Sequence, residues 1–106
     1  MSKFMIQATY SQEGLKGVLA DGGSGRVDAV RKMAESLGGH LDSFFFAFGD
    51  DDTYIVCDLP DNKAAVALAL TVGASGGATT KTTVLVTPEE VDRATKVKAD
   101  YRAPGR

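Results

Sequence analysis

From Lys3 to Tyr10 the chain alternates. Phe4, Ile6, Ala8 and Tyr10 fall on one parity and Met5, Gln7 and Thr9 on the other, which predicts a strand with one strongly apolar face. At Ser11, a residue suited to cap a helix, the spacing changes, and Leu15, Val18 and Leu19 line one side of a short helical piece. The run ADGGSGR (Ala20–Arg26) interrupts it with three glycines. From Ser24, a second N-cap, the positions Val30, Met33, Ala34 and Leu37 recur at helical spacing up to Gly38-Gly39, so the region reads as one broken helical segment. Two strands follow, about Leu41–Phe48 and Thr53–Leu59, with Gly49 and three aspartates between them as the turn of a hairpin. Pro60-Asp61 opens another helix, capped by Asp61, with Ala64–Val72 as its apolar body and Gly73, Gly76 and Gly77 closing it. Ala78–Thr87 is rich in β-branched residues and reads as a strand. Thr87-Pro88-Glu89-Glu90 is a capping box with proline at the first helical position. The helix it starts has few apolar residues, Val91, Ala94 and Val97 among them, and is expected on the surface.

The order βαββαβ plus a terminal helix predicts the α+β class. The expected form is a ferredoxin-like sandwich, an antiparallel sheet with helices on one side and an extra C-terminal helix. One domain over residues 1–98 is expected, with residues 99–106 as a flexible tail. An even-length hairpin loop puts Phe44, Phe46 and Phe48 on one face with Thr53, Ile55, Cys57 and Leu59, where the helices cover them. The other face carries Ser43, Phe45, Ala47, Tyr54, Val56 and Asp58. A sheet face open to water should be polar, and this one holds two aromatics and a valine. Burying an exposed Phe or Val is worth roughly 1.5–3 kcal/mol. A second copy is the economical cover, sheet against sheet, giving a homodimer or a multiple of dimers. On this reading the three aspartates shape the turn and keep the hairpin end solvated.

Composition narrows the functional classes. Hydrophobic residues are 43% and charged residues 25%, as in ordinary globular chains. A formal net charge of -2 gives no basic field for a nucleic acid or an anionic lipid surface, so neither partner is expected. Cys57 is the only cysteine and His40 the only histidine, which excludes an intrachain disulfide and leaves a structural zinc site short of ligands. No metal and no cofactor is expected. The start MSKFMIQATY lacks the apolar run of a secretory leader, and no stretch is long enough for a membrane span, so a cytoplasmic setting is the expectation.

The opening LIQATY-like strand, GGSGR, ESLGGHLDSFFFAFG, DLPDN and KTTVLVTPEEVDRA, in this order, resemble the GYD domain family over roughly Lys3 to Ala94. The resemblance implies the dimeric α+β barrel fold and supplies no reaction. It also exposes a departure. The family's Gly-x-Tyr-Asp pattern before the third strand is here Gly49-Asp50-Asp51-Asp52, with Asp51 in the tyrosine's place.

Candidate chemistry is sparse. His40 is a candidate general base with Asp42 or Asp58 as its orienting carboxylate, against a plain role at an exposed strand start. Asp52 and Asp58 are the carboxylates to watch as catalytic groups, and Tyr54, Phe45 and Asp58 are candidate ligand-binding residues on the mixed face. Ser24, Gly25 and Arg26 could form an anion site at a helix start. The segment has neither the third glycine of a dinucleotide fingerprint nor the lysine of a P-loop, so a corner between helical pieces is the alternative. Cys57 reads as an inert core thiol, and Met5 and Met33 as core filler. Three functions fit: a homo-oligomeric module binding or sensing a small ligand between sheet and helices, a small cofactor-independent enzyme of isomerase, lyase or oxygenase type, or a self-assembling scaffold.

Overall fold

Strand β1 (Ser2–Tyr10) buries Phe4, Ile6 and Ala8 on the parity its alternation predicts, and it forms the centre of the sheet with β3 (Thr53–Leu59). The computed structural model describes residues 1–106. It is an α+β chain with one four-stranded sheet in the order β2-β3-β1-β4, where β2 is His40–Phe46 and β4 is Ala78–Leu85. Every neighbouring pair is antiparallel. Helices α1 (Gln12–Ser36) and α2 (Asn62–Ser75) follow β1 and β3, and α3 (Pro88–Ala94) follows β4. No helix is long and apolar enough to cross a membrane.

The hairpin register matches the even-loop pairing, with Phe46 opposite Thr53 and Phe44 opposite Ile55. A bulge between Leu41 and Ser43 then takes up Asp42 and restores Leu41 opposite Cys57. The core joins Phe4, Ile6, Ile55, Cys57 and Leu59 of the sheet to Ala34 of α1 and to Ala64, Ala65 and Leu68 of α2. Asp61 caps α2 by accepting from the Ala64 N–H at 2.9 Å, and Gly76 ends it in the left-handed conformation. Thr87 and Glu90 cap α3 reciprocally.

Several local expectations are corrected. The second strand ends at Phe46: the Ala47 N–H closes the hairpin on the Asp52 carbonyl, and the chain then leaves extended geometry, with Phe48 at φ 55°. Phe48 is therefore exposed rather than on the covered face, although its ring stacks on Phe46 at 5.8 Å. The break in α1 falls at Gly22 (φ 74°, ψ 171°), inside the expected interruption at Ala20–Arg26, and Ser24 lies within the helix that follows instead of capping it. Leu15 and Leu19 point to solvent; the inward side of that half-helix carries Gly14 and Gly17 instead. Met33 packs on the core, whereas Met5 lies half-buried on the open face. The last helix stops at Ala94, short of Val97, and Val86, Val91, Val97 and Tyr101 are all exposed.

Candidate functional site

A cavity of about 430 Å³ lies between the sheet and the two long helices, within the range of roughly 300–1,000 Å³ usual for small-molecule sites. It exists because the facing side chains at one end are small. Gly17 of α1, Ala8 of β1 and Ala78 of β4 are small lining residues, and a Cβ at Gly17 would meet nothing within 4 Å. The start of α1 is pinned there. Ser11 donates its N–H to the Gly77 carbonyl at 2.9 Å and its hydroxyl to the Gly76 carbonyl at 2.6 Å. A Cβ at Gly14 would overlap the Gly77 carbonyl oxygen, so only glycine allows this approach.

The cavity is amphipathic along the strand direction. Ile6, Ile55, Met33 and Leu68 line its apolar end. Tyr10, Arg26 and Thr53 line the other. Thr53 pairs with Ala8, and Tyr10 stands two residues further along β1, roughly 7 Å away, so these polar groups gather at the hairpin end of the sheet. Burial raises the Tyr10 pKa above its usual value, and the neighbouring Arg26 guanidinium offsets this only in part. The phenol keeps its proton at neutral pH, with its oxygen against the Arg26 guanidinium. Arg26 meets Asp21 at 3.8 Å, the outer limit of an ion pair. Thr53 is fully buried, and no group of the chain reaches its hydroxyl oxygen. Such a group is unusual, since buried polar atoms in folded proteins are nearly always bonded.

The open face holds two polar clusters with an apolar band between them. At one end Lys3 donates to Asp42 at 3.0 Å and to Asp58 at 3.1 Å, and His40 Nε2 lies 2.9 Å from the other Asp58 oxygen. Hydrogen bonding to Asp42 and then to Asp58 raises the Lys3 pKa. At the other end Asp51 is buried, which corrects the picture of a wholly solvated turn. Its carboxylate accepts from Gln7 Nε2 at 2.9 Å, Thr9 Oγ1 at 3.0 Å and Lys81 Nζ at 3.4 Å. The Thr9 hydrogen bond, with help from Lys81 and Gln7, outweighs burial and holds the Asp51 pKa below its usual value. Asp52 accepts from the Tyr10 backbone N–H at 2.9 Å. Asp51 thus ties the hairpin loop to β1 and β4.

Of the residues singled out in the sequence, His40 and Asp58 meet, whereas Asp52 sits at the far end of β3 from them. Phe45, Tyr54 and Asp58 share the open face, with Phe45 69% exposed, and none of the three lines the cavity. Of Ser24, Gly25 and Arg26, only Arg26 reaches the cavity. Burial raises the Cys57 pKa to about 11, which makes the thiol a poor nucleophile. No three His, Cys, Asp or Glu side chains gather into a group able to hold a metal ion. Sequence reasoning passed over Tyr10 and Thr53. A signal for Thr53 was present: it is the one hydroxyl among Ile55, Cys57 and Leu59 on the covered parity of its strand.

Comparison with curated proteins and with solved structures returns no match. The family model described as GYD domain matches residues 4–95, most of the chain. The protein belongs to the GYD domain family.

Proposed function

We propose that the chain is a homo-oligomeric module that binds or senses a small ligand in the cleft between its sheet and its helices. The observation that carries this reading is the 430 Å³ cavity lined at one end by Tyr10, Arg26 and Thr53, with the buried, unpartnered Thr53 hydroxyl in its wall. A void of that size beside a buried hydroxyl costs stability, through lost packing and an unmade hydrogen bond. Occupancy by a ligand offsets both. The ferredoxin-like sandwich is proposed to pair through its open face as a dimeric α+β barrel, supported by exposed Phe45 beside Tyr54, Val56 and Met5. A reducing, cytoplasmic setting suits its single buried thiol.

The His40–Asp58 contact favours a second reading, a small cofactor-independent enzyme with His40 as general base. Weighing against it, His40 is exposed, Lys3 shares the same carboxylate, and neither His40 nor Asp58 lines the cavity. A scaffold without ligand is the remaining alternative, and it gives no use to the cavity. Native mass spectrometry of gently purified protein tests these readings together. A dimeric mass with a reproducible added mass is expected. A clean monomer would overturn the open-face assembly. Bare protein that also gains no stability from any member of a small-molecule library would overturn the binding reading.

A further inference from the structure

Resting on the cavity reading, we infer that the ligand is an amphipathic organic acid. Its carboxylate lies at the Tyr10–Arg26–Thr53 end, and its apolar body fills the end formed by Ile6, Ile55, Met33 and Leu68. The argument is one of matched chemistry. The lining offers the Arg26 guanidinium and the protonated Tyr10 phenol, with the buried Thr53 hydroxyl beside them, three groups able to donate. A cluster of donors calls for an acceptor. A carboxylate is the acceptor that matches a guanidinium in geometry and charge, through two parallel hydrogen bonds.

Arg26 lies against the Tyr10 phenol and meets Asp21 only at 3.8 Å, so part of its five-donor fork is left for a ligand. One acidic side chain, Glu13, also lines the cavity, but it is mostly exposed and bonded to Lys16 at 3.2 Å. Away from these donors the lining is mostly apolar, with Thr71, Ser75 and Thr80 as its polar side chains, so the remainder of the ligand is largely hydrocarbon, aromatic or aliphatic. The volume limits the ligand to a small molecule and excludes a peptide or a nucleotide chain.

Isothermal titration calorimetry of the full chain tests this with 2-naphthoate and octanoate, each beside its own primary amide. The amides keep the shape and lose the charge. The acids are expected to bind about tenfold or more tightly than the amides, the usual scale for a charge-assisted hydrogen bond. Arg26→Gln should remove that preference, and Arg26→Lys should keep part of it. Thermal unfolding of both variants checks that they fold. Thr53→Val should weaken the acids by severalfold while leaving the hydrocarbon end untouched. Equal affinity for acid and amide, or an acid preference that survives Arg26→Gln, would overturn the anionic head and leave the cavity as a site for neutral ligands. Binding by none of the four compounds would overturn the ligand class, and the cavity reading itself would still stand or fall on a retained mass in native mass spectrometry.

Discussion

The sheet has two faces built from the same strands, and they use their apolar residues differently. Under the helices, Phe4, Cys57 and Leu59 are at most 1% exposed, and the packing is closed at this end of β1 and β3. On the open side Phe45 is 69% exposed, Met5, Tyr54 and Val56 are half-buried, and ion-paired clusters bound the band at both ends. The covered face also loosens toward the hairpin, where small residues such as Gly17 and Ala8 line the cavity. One face therefore supplies the stability of the single chain and the room for a ligand. The other supplies a surface whose value appears only when something covers it.

Truncation separates the two. Leu59→Ala, on the covered face, should cost about 2–5 kcal/mol, because the fully buried side chain leaves a cavity its neighbours cannot close. Urea denaturation of the full chain checks this, and a loss below 1 kcal/mol would mean that the core is not where the helices meet β3. Phe45→Ser should leave the unfolding of a single chain nearly unchanged and act on assembly instead. Each dimer would lose two rings, each worth roughly 1.5–3 kcal/mol when buried, so dissociation should rise on the order of a hundredfold or more. Sedimentation over a concentration series reads that shift. An unchanged assembly state would move the interface away from the open face.

Acid should act on the open side through Asp51. Its folded-state pKa lies below the ordinary value near 3.8, so the carboxylate stabilises the fold at every pH above that value. The contribution fades as pH falls through the lowered pKa, when the acceptor of the Gln7, Thr9 and Lys81 contacts becomes protonated. Asp51→Asn should flatten the pH dependence of the thermal midpoint below about pH 4. It should also lower the midpoint at neutral pH by removing the ion pair with Lys81. A variant that keeps the wild-type slope would show that another carboxylate dominates acid unfolding.

The element order and the hairpin register were legible in the sequence because they depend on local periodicity and on loop parity. The pairing of Phe46 with Thr53 follows from counting an even loop, and the capping box at Thr87 from four adjacent residues. What escaped depends on distant groups. Asp51 sits in a run of three aspartates that reads as turn chemistry, and its burial needs donors from β1 and β4 that no local pattern reveals. The early end of β2 likewise follows from no pattern in Leu41–Phe48, since it comes with the left-handed turn at Phe48 (φ 55°). At the candidate site, Arg26 was visible as a charge beside glycines, but Tyr10 was read only as a strand residue. Gly17 leaves room for the cavity, and Gly14 allows the approach to Gly77, only once the sheet and the end of α2 lie opposite them.

Thr53 gives the smallest expected effect and the most direct contrast between stability and use. Without a ligand, its hydroxyl is fully buried with no partner from the chain, and an unmet polar group of that kind costs roughly 1–3 kcal/mol. Valine has nearly the same shape, suits a strand and carries no polar atom, so Thr53→Val should stabilise the free protein by about 1 kcal/mol. Urea titration at an unchanged m-value reads the gain. The same variant should bind an acid such as octanoate less tightly than the wild type, which sets stability against ligand affinity at one atom. Stabilisation with weaker binding would identify the hydroxyl as a group kept for the ligand at the expense of the fold. Destabilisation would mean that the hydroxyl already satisfies itself within the protein, and the polar end of the cavity would then rest on Tyr10 and Arg26 alone.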